Sequence, residues 1–249
     1  MPADATFLTF RSQRCQLLKA VPFSQCALVR VEQGCKLASM GAHQWRVEAG
    51  QMLVVPALSL LQVANEPVAG AYRAHVLALP DAWLQAPPTR APLQPVLLGQ
   101  DVLIDEAWRH WRDGVEADHP ESVCQHRLQE LLLVVRHLGG ASALQAAGQP
   151  LASRVLAELS ADASQSASHL ARRLAMSEAT LRRRLAAEGQ GLRQLRESLL
   201  FERALAMVQT GRQPIGLIAE ACGYSSAGRF AVRFRERFGV TPSALRATH

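Results

Sequence analysis

The residues best suited to chemistry lie in the last third of this 249-residue chain, and what they suit is contact with a nucleic-acid duplex. In the stretch 168–188, Ser177 is a natural N-cap and Glu178 follows where a helix dipole favours an anion. With successive side chains turned by about 100°, Leu181 and Leu185 point to one side, and Ala179, Arg182, Arg183 and Ala186 gather on the other. Two guanidiniums flanked by two methyl side chains form a face able to enter a major groove, where Arg donates to guanine edges. Arg184, on the flank, is placed for a phosphate. Taken alone, the same segment also reads as an ordinary solvated basic helix face.

A second stretch, 215–238, repeats the plan with different chemistry. Pro214 opens a helix, Gly223 closes it, and Ser225 or Ser226 caps the next. Phe230, Phe234 and Phe238 recur at every fourth position, which predicts a core spine rather than base stacking. Ala227, Gly228 and Ala231 occupy the outer face and offer no side-chain hydrogen bond. Ser225, Ser226, Arg229 and Arg233 instead present hydroxyls and cations suited to phosphates. The second unit is therefore expected to supply mostly non-specific affinity.

Charge follows the same division. Of 27 basic residues, the fifteen in 150–249 are all Arg and face eight acidic residues, giving that segment a net charge of +7 against −1 for residues 1–149. Such a split suggests a nucleic-acid module attached to a neutral one. Charged residues make up 19% of the chain and mean hydropathy is near zero, which excludes a disordered or collagen-like chain. The most apolar run, Met52 to Leu61, is interrupted by Pro56 and Ser59 and is too short to cross a bilayer. No secretory signal is visible after Met1. Cys15, Cys26, Cys35, Cys124 and Cys222 form no Cys-x-x-Cys pair and read as reduced thiols of a cytoplasmic protein.

Three kinds of element must position these residues, and the expected fold class is α+β and multidomain. Residues 7–80 read as short strands: Cys26 to Glu32 alternates small or apolar with polar residues, and Gly34, Gly41 and Gly50 punctuate the run. Strands this short favour a small sandwich or barrel. Pro87, Pro88, Pro92 and Pro95 make a connector. Two helices follow, near 101–118 and 120–138; in the second, Leu128, Leu131, Leu132 and Val135 belong to an apolar stripe wider than one core face requires. That width is read either as deep burial or as a dimer interface through these four residues. Beyond a linker at 141–150, helices are expected near 151–160, 167–174, 178–188, 192–210, 215–222, 226–238 and 242–247.

Residues 151–249 resemble the DNA-binding domain of the AraC/XylS family of bacterial transcription regulators. The residues that carry the resemblance are Ala175-Met-Ser-Glu-Ala-Thr-Leu-Arg-Arg, Glu202-Arg-Ala, Ile218-Ala, Cys222-Gly-Tyr-Ser-Ser and Phe234-Arg-Glu-Arg-Phe-Gly-Val-Thr-Pro242. It implies two helix-turn-helix units, 168–188 and 215–238, joined by a long helix. At roughly 1.5 Å per residue the helix 192–210 spans about 28 Å, close to the ~34 Å between successive major-groove faces. It further implies base contacts at Ala179, Arg182 and Arg183, with Ala227, Gly228 and Ala231 at the corresponding places of the second unit, and Leu200 where the linking helix usually carries an Arg. Promoter or operator DNA and RNA polymerase are the implied partners, with homodimerisation on DNA.

Many members of that family carry a cupin-like barrel, and residues 1–85 resemble one. Gly50, Pro56 and Asn65 match the second cupin motif, but Leu61 stands where its histidine belongs. No His precedes His43, so the imidazole ligands of a catalytic metal are missing, and His43 and His75 read as structural. No nucleophile elbow, phosphate loop or dinucleotide fingerprint appears. The expected reading is a regulator with no enzymatic activity, no metal and no cofactor, which senses a small apolar molecule or a protein partner through residues 1–85, dimerises through 86–140 and binds DNA through 151–249. A metal-dependent cupin enzyme fused to a DNA module is the alternative. A DNA-alkylation repair protein with the same DNA module would need a four-cysteine cluster that Cys15, Cys26 and Cys35 do not complete.

Overall fold

Strand-forming sequence dominates the first eighty residues. β1 (Thr6–Ser12), β2 (Gln16–Phe23), β3 (Cys26–Gln33), β4 (Cys35–Met40), β5 (His43–Glu48), β6 (Met52–Val55), β7 (Ser59–Glu66) and β8 (Tyr72–Leu79) are followed by β9 (Val96–Leu98). The computed structural model describes residues 5–84, 94–144 and 150–249. Most of the proline-rich connector and residues 145–149 of the linker lie outside that range.

The strands form two antiparallel sheets, ordered β1-β8-β3-β6-β9 and β2-β7-β4-β5. Their inner faces meet in one core, where Leu18, Val29, Val31, Leu61 and Val63 are almost wholly buried. Gly34 makes the turn from β3 to β4 at φ +82°, and a Cβ there would lie 2.6 Å from the Glu66 carbonyl oxygen, so only glycine fits. Leu61, at the cupin histidine position, is 1% exposed and packs as a core residue. β9 extends the front unit past residue 85, the boundary that the sequence pattern suggests. Its three residues, lying beyond the prolines, are too few to carry a period.

A second core lies on the outer face of the five-stranded sheet, under α1 (Val102–Glu116) and α2 (Glu121–His137). β3 is buried on both faces: Ala27, Val29 and Val31 point into the barrel, while Cys26 and Leu28 pack with Trp108, Trp111 and α2. This explains the wide stripe of α2 and corrects one expectation. Leu128, Leu131, Leu132 and Val135 are 0–2% exposed and belong to the second core, so they do not form a dimer interface. Each such side chain contributes roughly 1.5–3 kcal/mol by leaving water.

The remaining described chain is helical: α3 (Leu151–Ala161), α4 (Ala167–Arg173), α5 (Glu178–Ala187), α6 (Leu192–Thr210), α7 (Ile215–Ala221), α8 (Ala227–Phe238) and α9 (Pro242–Arg246). A third core holds α3, α4, α5 and the start of α6 together through Val155, Leu156 and Leu159, with Leu170, Leu181, Leu185 and Leu195. Glu188, at the end of α5, caps α3 by accepting from the backbone N–H groups of Leu151 and Ala152 at 2.8 and 2.9 Å. The second half of the domain does not have a separate core: Phe201, Phe230, Phe234 and Phe238 join the cluster that fills the barrel.

Candidate nucleic-acid interface and ligand cavity

The two helix pairs α4–α5 and α7–α8 turn in the same way. Ala175 (φ +55°) and Gly223 (φ +77°) both take the left-handed conformation just after the first helix. The next amide then reaches back, Met176 N–H to the Ala171 carbonyl and Tyr224 N–H to the Ala219 carbonyl, each at 2.9 Å. Ser177 and Ser226 cap the second helix of each pair by accepting from Thr180 N–H and Arg229 N–H, both at 3.2 Å. These repeated turns define two helix-turn-helix units, with α6 between them.

On α5, Leu181 and Leu185 are buried, while Ala179, Arg182, Arg183, Arg184 and Ala186 are exposed, as the helical period requires. Arg182 is held by an ion pair to Glu178 one turn earlier; Arg183 and Arg184 make no ion pair among the described residues. On α8, Phe230, Phe234 and Phe238 are fully buried, Ala227, Gly228 and Arg229 are exposed and Ala231 is half-buried; Ser225 and Ser226, just before the helix, are exposed too. Arg233 departs from its expected part as a free cation. It donates to Glu197 of α6 at 2.6 Å and to Glu236 at 2.7 Å, so its charge is largely balanced before any phosphate arrives. The partner Glu197 lies 36 residues away, and local spacing gives no sign of it.

The inner faces of β1, β2, β3, β7 and β8 do not close on themselves. They leave a cavity of about 630 Å³ whose far wall is α3 and α6. Leu8, Phe10, Val21, Val76, Leu199 and Leu205 supply an apolar lining. Lys36, one of two lysines in the chain, lines the cavity and donates to Asn65 Oδ1. Burial pushes its pKa down to about 8. Asn65 Nδ2 donates to Gln16 Oε1 at 2.9 Å, and Gln209 Nε2 of α6 donates to the same oxygen at 3.1 Å. Gln16 Nε2 reaches Thr248 Oγ1 at 2.7 Å, so hydrogen bonds join the polar end of the cavity to both α6 and the C-terminal tail. Sequence alone places the ligand space within residues 1–85. The signal it misses is Leu199, Glu202, Ala206 and Gln209, a helical stripe of mixed polarity that apolar periodicity does not detect.

Glu202 of α6 accepts from Ser24 N–H, at 3.1 Å for its nearer oxygen, and both residues line the cavity. Burial raises its pKa from 4.5 to about 7. The folded chain therefore binds this proton more tightly than the unfolded chain. Stability should fall as pH rises from about 4.5 to about 7 and level off above. The expected effect is on the order of 2 kcal/mol, less than the full shift because the side chain is partly open to water. Glu202→Gln should flatten this part of a denaturation-versus-pH profile; an unchanged profile would refute the assignment.

His75, buried on β8, bonds Thr9 Oγ1 at 3.0 Å and Glu32 at 3.1 Å, whereas His43 is exposed on β5. Among the described residues no cluster of three or more His, Cys, Asp or Glu could hold a metal ion. No described helix is long and apolar enough to cross a membrane.

Two helix-turn-helix units thus stand behind a two-sheet front unit, an arrangement that comparison with known proteins also finds. Residues 170–248 match a helix-turn-helix domain family. The HTH-type transcriptional regulator VqsM of Pseudomonas aeruginosa is 37% identical over 76 residues, which is 30% of this chain and 23% of that protein. The match thus spans about a quarter of that relative's length. ToxT of Vibrio cholerae bound to an unsaturated fatty acid shares the fold at a TM-score of 0.66 and 11% identity, covering 98% of this chain and 95% of that one. ToxT bound to (E)-4-(8-methylnaphthalen-1-yl)but-3-enoic acid aligns at 0.68 and 10% identity, covering 98% of each chain. The sequence matches thus lie in the helical half of the chain, and the likeness to ToxT is one of fold.

Proposed function

We propose that this chain is a sequence-specific transcription regulator whose DNA binding is set by an apolar carboxylic acid held in the 630 Å³ cavity. The observation that carries the reading is the pairing of a long apolar lining with a single lysine at its polar end, shared between the barrel and α6. The volume suits a small-molecule ligand, since such pockets run from about 300 to 1,000 Å³. The two ToxT structures hold acids of this kind, which supports the ligand class. Ala179, Arg182 and Arg183 read bases in this proposal, while Arg184, Ser225, Ser226 and Arg229 hold the backbone. RNA polymerase is a partner, and the chain binds DNA as a homodimer.

The test is a titration of the full chain with a long-chain unsaturated fatty acid, followed by DNA binding with and without it. Saturable binding that changes operator affinity is expected. Lys36→Gln should weaken acid binding about tenfold, the value of a charge-assisted hydrogen bond of roughly 1.5 kcal/mol. Raising the pH through about 8 discharges Lys36 and should weaken binding in the wild type but not in Lys36→Gln. Equal affinity in both proteins at all pH values would overturn the assignment of the head-group site.

A further inference from the structure

The geometry points to a second ligand site, distinct from the apolar cavity: a crevice of about 210 Å³ between α1 and the outer face of β3 and β8 that takes a small oxyanion, with Arg30, Arg109 and Arg112 as donors. Arg30 projects from β3 with only 7% of the residue exposed. One of its terminal nitrogens pairs with Asp105 of α1, and the other, Nη1, is buried without a hydrogen-bond partner. A buried guanidinium donor without an acceptor is costly, and native structures rarely leave one so.

The nearby carboxylates are already engaged. Asp105 holds Arg30, and Glu32 accepts from Arg73 at 3.3 Å and interacts with His75 at 3.1 Å and Arg112 at 3.5 Å. Arg109, one turn before Arg112 on α1, lines the crevice and makes no ion pair among the described residues. Arg112 also pairs with Asp113 at 3.1 Å and Glu116 at 3.9 Å, which leaves Arg30 Nη1 and the Arg109 guanidinium as the donors of the lining without a carboxylate among the described residues. An oxyanion supplies the missing acceptors, and Arg forks match both carboxylate and phosphate oxygens. The crevice has a third of the apolar cavity's volume and lacks its long apolar lining, so it suits a compact anion and not an amphiphile.

Trp108 forms part of the wall and supplies the readout. The full chain would be titrated with sodium phosphate and, separately, sodium succinate, against sodium chloride at matched ionic strength, while tryptophan fluorescence is followed. A saturable change with phosphate, succinate or both, beyond that of chloride, is expected; which anion acts identifies the preferred oxyanion. The change should vanish in Trp108→Phe, and Arg109→Gln, on an exposed helix surface, should raise Kd at least tenfold. Lys36→Gln should leave it unaltered, which separates this site from the proposed acid cavity. Absence of a saturable change with either anion, persistence of the signal in Trp108→Phe, or an unchanged Kd in Arg109→Gln would each overturn the proposal.

Discussion

Leu132→Asp should unfold the front half of the protein rather than separate a dimer. The side chain is 2% exposed, in the core that α2 shares with α1 and the five-stranded sheet. Removing a buried Leu costs about 2–5 kcal/mol, and an unpaired carboxylate in its place adds several more. The sum is comparable to the ~5–15 kcal/mol that stabilises a whole domain. Insolubility, or loss of near-ultraviolet circular dichroism with retained helical signal, is the expected outcome. Leu133→Asp is the control: Leu133 is 63% exposed on the same helix and should tolerate the charge. If this control weakens self-association on DNA, the interface lies on the outer surface of α2. A Leu132→Asp protein that folds cooperatively but fails to associate would restore the interface to the buried stripe.

The α2 example marks where sequence periodicity stops being informative. A helix stripe tells how much apolar surface must be covered, not by what; here the cover is the back of a sheet. β3 conceals that need, since Cys26 and Leu28 read as half of an ordinary alternation although both faces are buried. The helical domain is far more legible. Ser177, Ser226 and the every-fourth-residue phenylalanines act through neighbours within one or two turns, and the structure places caps and spine where spacing puts them. What spacing misses is carried by distant partners: Glu197 on Arg233, Ser24 on Glu202, and Gln209 on Gln16.

Those partners also sharpen the expected contrast between the two units on DNA. Arg183→Ala should cost about 1–3 kcal/mol on the specific site, roughly fivefold to 150-fold in affinity, and relax preference at one base pair. Arg183 is exposed beside Ala179 and Ala186, whose methyl groups would let α5 approach the bases in the proposed complex, and no carboxylate competes for it among the described residues. Arg182→Ala should cost less, because in free protein its guanidinium already pairs with Glu178 and must exchange that contact for a base. In the second unit, Arg229→Ala should weaken all sequences alike and lower the salt slope by about one. Arg233→Ala should change the slope far less, since Glu197 and Glu236 already balance its charge. Binding of the full chain to operator and random DNA across a salt series measures all four. Equal losses on both DNAs for Arg183→Ala would reduce it to a phosphate contact, and a full unit of slope lost with Arg233→Ala would mean that its ion pairs open on DNA.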